Sequence, residues 1–258
     1  MLSLIGLGLN DEKDLTLRGI EEAKSADKVY LDLYTGIWNG NLKKLEKIIG
    51  KKIERVNRDE LEDNSKKIID EAKNKKIAIF VQGDPLVATT HTSLMLEARK
   101  NKIKTKIIHN ASIVSAIAET GLHIYKFGPT VTIPFPEKTK GQLPESIYET
   151  IKANKERGLH TLCLLDIVVE KEKNARCMAP DEAMKILLEL EEKKKEEVFT
   201  EETEIVVFEK IGSGSSPKYG KANDLMKKKF DVPAVLVIPG KLHFTEKEFL
   251  SFLCRKSD

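Results

Sequence analysis

Gly83, Asp84 and Pro85 form the motif of this chain with the clearest chemical meaning, because they follow a short apolar segment at residues 76–80. Glycine lets the backbone approach a ligand closely, and proline keeps the residue before it out of helical geometry. The aspartate between them provides a fixed hydrogen-bond acceptor. In α/β proteins, ligands bind where a buried parallel strand ends and a helix follows. We therefore predict a ligand site at this turn.

The first half of the chain alternates predicted strands and helices. This is the βαβ pattern of a mostly parallel sheet with helices on its faces, so the predicted fold class is α/β. Asp14 is the predicted N-cap of the first helix. Strands are predicted at 2–7, 28–33, 53–56, 77–81 and 105–109, and helices at 15–24, 42–49, 64–73, 92–100 and from Ser112 onward.

The second half of the chain is predicted to form a separate α/β domain. Pro129, Pro134 and Pro136 interrupt regular structure and place the predicted boundary between an N-terminal domain, 1–127, and a C-terminal domain, 128–258. Strands are predicted at 161–168, 205–208 and 234–238, and helices at 180–195, 219–227 and 246–254.

Composition excludes several classes of protein. The net charge is +3 over 258 residues, and lysine and glutamate are interspersed in 189–197, which is typical of a solvated helix face and not of a nucleic-acid-binding stripe. The three cysteines have neither metal-ligand spacing nor the even count of a disulfide framework. No signal-peptide pattern is present, and no apolar run approaches the roughly 20 residues of a membrane span. We expect a cytoplasmic protein that binds neither membranes nor nucleic acid.

Several other segments come close to known functional motifs but do not match them. Gly6-Leu7-Gly8 lacks the third glycine of a dinucleotide fingerprint, since position 11 is aspartate. The segment 212–216 matches neither a Walker A loop nor the Gly-x-Ser-x-Gly elbow of serine hydrolases. No two histidines have the i, i+4 spacing of metal ligands. Asp84 and Asp166 both follow apolar strands, and for each of them simple capping of a turn stays open as an alternative to ligand binding.

Six segments distributed over almost the whole chain carry specific patterns: 4–9, 83–91, 109–113, 120–128, 158–167 and 239–243. Within them, Gly-Asp-Pro continues as Leu-Val-Ala-Thr-Thr-His at 86–91, and the block 121–128 reads Gly-Leu-His-Ile-Tyr-Lys-Phe-Gly. Together these segments resemble the diphthine synthase family of the tetrapyrrole methylase superfamily. Gly-Asp-Pro alone would indicate only the superfamily, whereas the extension 86–91 and the block 121–128 are more specific to the family.

The resemblance implies two α/β domains with S-adenosylmethionine bound in the cleft between them, no metal, and a homodimer. It identifies no catalytic residue. Ala234 occupies a position that is often histidine in relatives, so a contact there would use the backbone or a small apolar surface. Gln82 replaces a proline that is common before the Gly-Asp-Pro turn. The family's cofactor-binding positions fall on Leu9, Asp84, Val87, Ser112, Ile113, Leu165, Ile211 and Ala234.

The implied reaction is transfer of methyl groups to the amino nitrogen of an aminocarboxypropyl-histidine on translation elongation factor 2, in diphthamide biosynthesis. Some relatives also methylate the carboxylate of that group. The attacking amine must be neutral, and we hypothesise that the charge of Asp84 favours the cationic sulfonium of the donor. Two alternatives stay open: a methyltransferase that acts on a tetrapyrrole, and a non-catalytic protein that binds S-adenosylmethionine.

Overall fold

The computed structural model describes residues 1–32, 34, 36–62, 64–169 and 175–254, and the chain divides into two compact units, Met1–Ala116 and Ile117–Asp258. This division lies before the predicted boundary at 127/128. Residues 117–127 pack with the second unit because His123 and Lys126 both hydrogen-bond Glu246. None of the helices formed by the described residues is both long enough and apolar enough to cross a membrane.

The first unit is built on a five-stranded parallel sheet with the strand order β3-β2-β4-β1-β5. The predicted second strand extends to Leu33, which lies outside the described residues. In chain order the elements are β1 (Leu2–Gly6), α1 (Leu17–Ser25), β2 (Lys28–Asp32), α2 (Leu42–Ile49), β3 (Ile53–Val56), α3 (Arg58–Leu61), α4 (Lys66–Asn74), β4 (Ile77–Val81), α5 (His91–Lys100), β5 (Thr105–Ile108) and α6 (Ile113–Ala116).

The strands β1 and β4 lie at the centre of this sheet, and every residue in both is buried. Alternate residues enter different apolar clusters: Leu4 and Ile79 belong to one, and Ile5 and Phe80 to the other. A parallel sheet with both faces covered has this pattern, and its ligands bind at the carboxyl ends of its strands. The predicted α/β class is confirmed.

The start of α1 differs from the prediction. Thr16, not Asp14, caps the helix, because its hydroxyl accepts a hydrogen bond from the backbone N–H of Gly19 at 3.0 Å. The Asp14 carboxylate instead accepts the backbone N–H groups of Leu9, at 3.1 Å, and Asn10, at 2.6 Å. The predicted cap is therefore wrong, and Asp14 holds the loop after β1.

The second unit contains a five-stranded sheet with the order β11-β10-β12-β7-β6. The pair β6–β7 is parallel and the other pairs are antiparallel. The elements are β6 (Val131–Ile133), α7 (Glu145–Glu156), β7 (Thr161–Leu165), β8 (Ile167–Val168), β9 (Arg176–Cys177), α8 (Pro180–Lys194), β10 (Glu204–Glu209), β11 (Lys218–Lys221), α9 (Ala222–Met226), β12 (Ala234–Ile238) and α10 (Phe244–Cys254).

Several predicted elements of this unit are wrong in part. The predicted helix 219–227 begins only at Ala222, because the preceding four residues pair with β10 as an edge strand. The predicted strand 161–168 breaks at Asp166, whose carboxylate accepts the Phe135 N–H at 3.0 Å and the Lys138 ammonium at 2.6 Å. Both β6 and α7 were missed by the prediction.

Candidate functional site

The loops after β1 and β4 lie side by side at the carboxyl edge of the first sheet. Gly8 and Gly83 exchange backbone hydrogen bonds, with N···O distances of 3.3 and 2.9 Å. Their φ angles are +81° and +67°, in the left-handed region that favours glycine. The Gln82 side-chain amide donates to the carbonyl oxygens of Gly8 and Leu9, both at 3.2 Å. These bonds fix the two loops against each other.

The Asp84 carboxylate joins the loop after β4 to the loop after β5. Its Oδ1 accepts the Leu86 N–H at 3.0 Å, and its Oδ2 accepts the Asn110 N–H at 3.2 Å. Oδ2 also lies 2.8 Å from Nδ1 of His109. A carboxylate offers about four lone-pair positions, so these partners occupy most of them. Asp84 is only 6% exposed. It therefore caps the turn and also places a negative charge at this edge.

Asn110 is a second connecting residue, and it was not among the predicted site residues. Its side-chain amide donates to the carbonyl oxygens of Gly6 and Asp14, both at 3.0 Å. The backbones approach so closely here that a Cβ on Gly6 would lie 2.5 Å from the Gly83 carbonyl oxygen. Asn110 belongs to the segment 109–113 that carried the family resemblance, and this is the signal by which the sequence could have identified it as a site residue. The tertiary contacts of Asn110 have no sequence signature.

The turn that follows Pro85 is held by local hydrogen bonds. The Val87 N–H donates to the Asp84 carbonyl at 3.2 Å, and the Thr89 hydroxyl donates to the Pro85 carbonyl at 2.8 Å. Ala88 has a φ of +54°, which costs of the order of 1–3 kcal/mol for a residue other than glycine. Such strain is often found in loops that contact ligands.

The structure brings the predicted residues of the first unit to one edge of the sheet. Leu9 follows β1, Asp84 and Val87 follow β4, and Ser112 and Ile113 follow β5. Ser112 is buried, whereas Leu9, Val87 and Ile113 are half-buried and can offer part of their surface to a ligand.

The predicted residues of the second unit also share one end of a sheet. Leu165 ends β7 and Ala234 begins β12, which runs antiparallel to β7 with Val235 opposite Leu164. Ala234 also lies opposite Glu209, the last residue of β10, and Ile211 follows shortly after. Leu165 and Ala234 are each 7% exposed, so both residues are buried in this unit.

The loops after β4 and β5 leave a small gap beside Gly83. A Cβ built on Gly83 would lie 3.7 Å from Cα and Cβ of Ser112 and 3.8 Å from the Ala111 carbonyl oxygen. The missing side chain therefore leaves a space about one methyl group wide between these two loops. Backbone polar groups beside half-buried apolar side chains are typical of a pocket for an organic cofactor. Among the described residues, no group of three or more His, Cys, Asp or Glu side chains could hold a metal ion.

A dense polar network in the second unit gathers residues from three of the segments that carried the resemblance. The buried Glu246 carboxylate accepts the backbone N–H groups of His123, at 2.8 Å, and His243, at 2.6 Å. It also pairs with Nε2 of His160, at 3.0 Å, and with the Lys126 ammonium. Burial raises the pKa of Glu246, but Lys126, the two N–H groups and His160 outweigh it and lower the pKa to about 2. These histidines therefore support the fold around a carboxylate.

One cavity of the second unit, with a volume of about 620 Å³, contains none of the predicted residues. Its cationic groups are already paired: the Lys155 ammonium donates to the Glu197 carbonyl at 2.7 Å, and Lys221 pairs with Glu202 at 2.6 Å. We therefore place the candidate site at the sheet edges described above and not in this cavity.

Comparison with known proteins identifies the family. The sequence pattern of the tetrapyrrole (corrin/porphyrin) methylases matches residues 1–215. This chain belongs to the tetrapyrrole methylase family. It is a methyltransferase. Diphthine synthases from Methanocaldococcus jannaschii and Methanococcus maripaludis are 48% and 46% identical to it, and the matches cover 98% of this chain and 99% and 98% of theirs.

Solved structures agree with this assignment. A crystal structure of an Entamoeba histolytica protein described as a diphthine synthase superposes with a TM-score of 0.90 at 38% identity, covering 98% of both chains. A second diphthine synthase crystal structure gives a TM-score of 0.86 at 34% identity, covering 98% of this methylase and 96% of that chain. The predicted resemblance to diphthine synthases is confirmed.

Proposed function

We propose that this methyltransferase acts in diphthamide biosynthesis. In this proposal it transfers methyl groups from S-adenosylmethionine to the amino nitrogen of the aminocarboxypropyl-histidine of translation elongation factor 2. The main support is the similarity to diphthine synthases at 44–48% identity over nearly the whole chain. That full coverage favours this substrate over a small tetrapyrrole, the compound class named in the broader family.

The residues we propose for the cofactor lie at one edge of each sheet. When bound, S-adenosylmethionine supplies a methyl group on a positively charged sulfur. A methyl-sized space lies beside Gly83, next to Ser112 and Ala111, and we propose that an edge of this ligand occupies it. Its placement between the two units stays a prediction. The proposed contacts are Leu9, Asp84, Val87, Ser112 and Ile113 in the first unit, and Leu165, Ile211 and Ala234 in the second.

Asp84 has an electrostatic role in this proposal. Its carboxylate is held by backbone N–H groups of Leu86 and Asn110, so the carboxylate keeps its position when a ligand enters. A fixed negative charge favours a cationic sulfonium over a neutral thioether, because Coulomb attraction acts only on the first. The site would then bind the methyl donor more tightly than the spent product.

The acceptor must be held in line with the methyl group and lose a proton before it can attack. Alignment of this kind can contribute up to roughly 7–11 kcal/mol toward the barrier. Repeated transfer requires that the partly methylated amine remains or rebinds while the spent cofactor leaves. We infer that the acceptor side is open enough for a loop of the protein substrate. Methylation of the substrate carboxylate would use the same opening.

Mass spectrometry of the modified factor tests the proposal. The full chain is incubated with S-adenosylmethionine and elongation factor 2 that carries the aminocarboxypropyl-histidine, with unmodified factor as the control. We expect the target histidine peptide to gain one or more methyl masses and the control peptide to gain none. Absence of a gain, together with methylation of a corrinoid precursor, would favour the tetrapyrrole reaction. Cofactor binding without any transfer would favour a sensor.

The assembly and location follow from the same proposal. We propose that the chain forms a homodimer and acts in the cytoplasm, together with the elongation factor. Sedimentation equilibrium should give twice the chain mass of 29.1 kDa. A mass of one chain at micromolar concentration would contradict the dimer.

A further inference from the structure

We infer that His109 accepts the proton that the substrate amine must lose before it is methylated. This inference rests on the proposed function. His109 follows β5, at the sheet edge that carries the predicted cofactor residues Asp84 and Ser112. None of the residues assigned to cofactor binding can accept a proton readily there, since they are apolar, a hydroxyl, or a carboxylate with most of its acceptor positions occupied.

The contacts of Asp84 determine which nitrogen of His109 is available. Nδ1 of His109 lies 2.8 Å from Oδ2 of Asp84. An ionised carboxylate only accepts hydrogen bonds, so Nδ1 of the neutral ring carries the hydrogen and Nε2 keeps its lone pair. Asp84 is in turn held by the Leu86 and Asn110 N–H groups. A base that is oriented by a fixed carboxylate is a recurring arrangement in general-base catalysis.

Exposure separates this pair from the other carboxylate–imidazole pairs of the described residues. The His109 side chain is 69% exposed. His91 lies with Nε2 3.1 Å from Asp32, but its side chain is 1% exposed and both ring nitrogens are buried without an aligned hydrogen-bond partner. His160, beside Glu246, is fully buried, and His123, whose Nδ1 lies 3.6 Å from Glu246, has a side chain that is 28% exposed. Of these imidazoles, His109 has by far the most exposed side chain and is therefore the most accessible to a substrate from outside.

The proton and electron balance is as follows. The substrate ammonium gives one proton to Nε2 of His109, and the resulting imidazolium is balanced by the charge of Asp84. The freed amine lone pair forms the new N–C bond to the methyl carbon as the C–S bond breaks, and the bonding pair of that C–S bond stays on sulfur. The imidazolium then releases its proton to water. Each transfer therefore releases one proton and needs no oxidant or reductant.

The first test is the tautomer of His109 in the unliganded protein, which does not depend on activity. Long-range ¹H–¹⁵N correlation spectra, assigned with His109→Asn, should show a protonated Nδ1 and an unprotonated Nε2 in the neutral ring. Asp84→Asn should reduce this preference. A neutral ring protonated at Nε2 would overturn the inference.

The second test is single-turnover methyl transfer to the modified elongation factor across a range of pH. His109→Asn is the key variant, because the asparagine amide can still donate to Asp84 as Nδ1 does but cannot accept the proton. We expect its rate to fall by about 10²–10⁴-fold, the usual contribution of a general base, with S-adenosylmethionine affinity within about threefold of wild type. The loss should shrink at high pH, where solvent deprotonates the amine. Asp84 is the titratable group that the structure places against the ring.

His243→Gln is the matched control, because His243 is also exposed but its Nδ1 contacts the Thr245 hydroxyl at 2.8 Å instead of a carboxylate. Its rate should stay within about twofold of wild type. If the wild type transfers methyl groups and His109→Asn matches it at every pH, the inference is overturned while the proposed function stands. If the wild type transfers nothing, both are overturned.

Discussion

Replacement of Glu246 by glutamine should destabilise the second unit in a manner that depends on pH. The Glu246 side chain is fully buried and pairs with Lys126 and with Nε2 of His160 at 3.0 Å. Glutamine has nearly the same shape, so the packing of α10 is retained. The neutral amide, however, leaves the Lys126 ammonium without its buried counter-ion. Breaking a buried pair in this way is strongly destabilising.

The pKa of Glu246 gives the size of the effect. Its pKa falls from 4.5 to about 2, because Lys126, the His123 and His243 N–H groups and His160 outweigh the opposing effect of burial. At 1.36 kcal/mol per pKa unit, this shift corresponds to a contribution of roughly 3 kcal/mol to the free energy of unfolding. A depressed carboxyl pKa stabilises the folded state fully above the unfolded value. That stabilisation is lost as pH falls from about 4.5 through about 2.

Urea unfolding followed by far-ultraviolet circular dichroism at several pH values measures this effect. At pH 7 we expect the variant to lose roughly 3 kcal/mol, and we expect the gap to narrow steadily below pH 4.5. Glu248→Gln is the control, because it removes an exposed charge from the same helix and should change the free energy of unfolding by less than about 0.5 kcal/mol. A gap for Glu246→Gln that stays constant between pH 7 and pH 3 would refute the electrostatic explanation.

The remaining predictions concern the cofactor site and the thiols. Gly83→Ala should weaken S-adenosylmethionine binding at least tenfold by calorimetry, because it strains a φ of +67° and fills the space beside Ser112. Gly141→Ala controls for backbone strain, since its φ is +76° and no atom lies within 4 Å of its added Cβ; an equal loss of affinity there would remove the steric argument. Asp84→Asn should weaken S-adenosylmethionine binding about tenfold, equal to 1.4 kcal/mol, and an unchanged dissociation constant would eliminate its proposed electrostatic role. Burial raises the pKa of the Cys163 thiol to about 12 and also raises that of Cys177. In a Cys254→Ser background, a thiol reagent at pH 8 should therefore label half-buried Cys177 and spare Cys163 until the protein unfolds; early labelling of Cys163 would contradict its burial.

The regular elements of the first unit could be predicted where burial and pattern coincide. The predicted bounds of α2, β3 and β4 match the structure, because amphipathic or continuously apolar runs end at turn residues there. The first helix is an instructive exception. Both Asp14 and Thr16 are suitable caps, and the sequence does not show that the loop after β1 needs the Asp14 carboxylate for its own N–H groups.

The missed elements of the second unit have local reasons. The strand β6 is only three residues long and lies among prolines, and those prolines predicted an interruption of regular structure instead of a strand. The helix α7 begins after Pro144, although Ile147, Tyr148 and Ile151 carry helical spacing and are all buried. The edge strand β11 reads Lys-Tyr-Gly-Lys, which has no apolar alternation, and is defined by its pairing with β10. The strand conformation of β11 thus depends on tertiary pairing with β10 and not on local strand propensity.

The candidate site shows the same limit at the level of single side chains. The Gly-Asp-Pro motif predicts a ligand turn after β4. It does not predict that the Asp84 carboxylate contacts His109, 25 residues further along the chain. Likewise, no pattern in the sequence predicts that Glu246 pairs with His160, 86 residues before it. Both are carboxylate–imidazole pairs, but their rings differ in exposure. Around Glu246 the ring is fully buried and serves the fold, whereas beside Asp84 the exposed ring can meet a substrate. Only the folded backbone brings His109 to the proposed ligand edge, and for this reason the histidines of the sequence alone did not identify a proton acceptor.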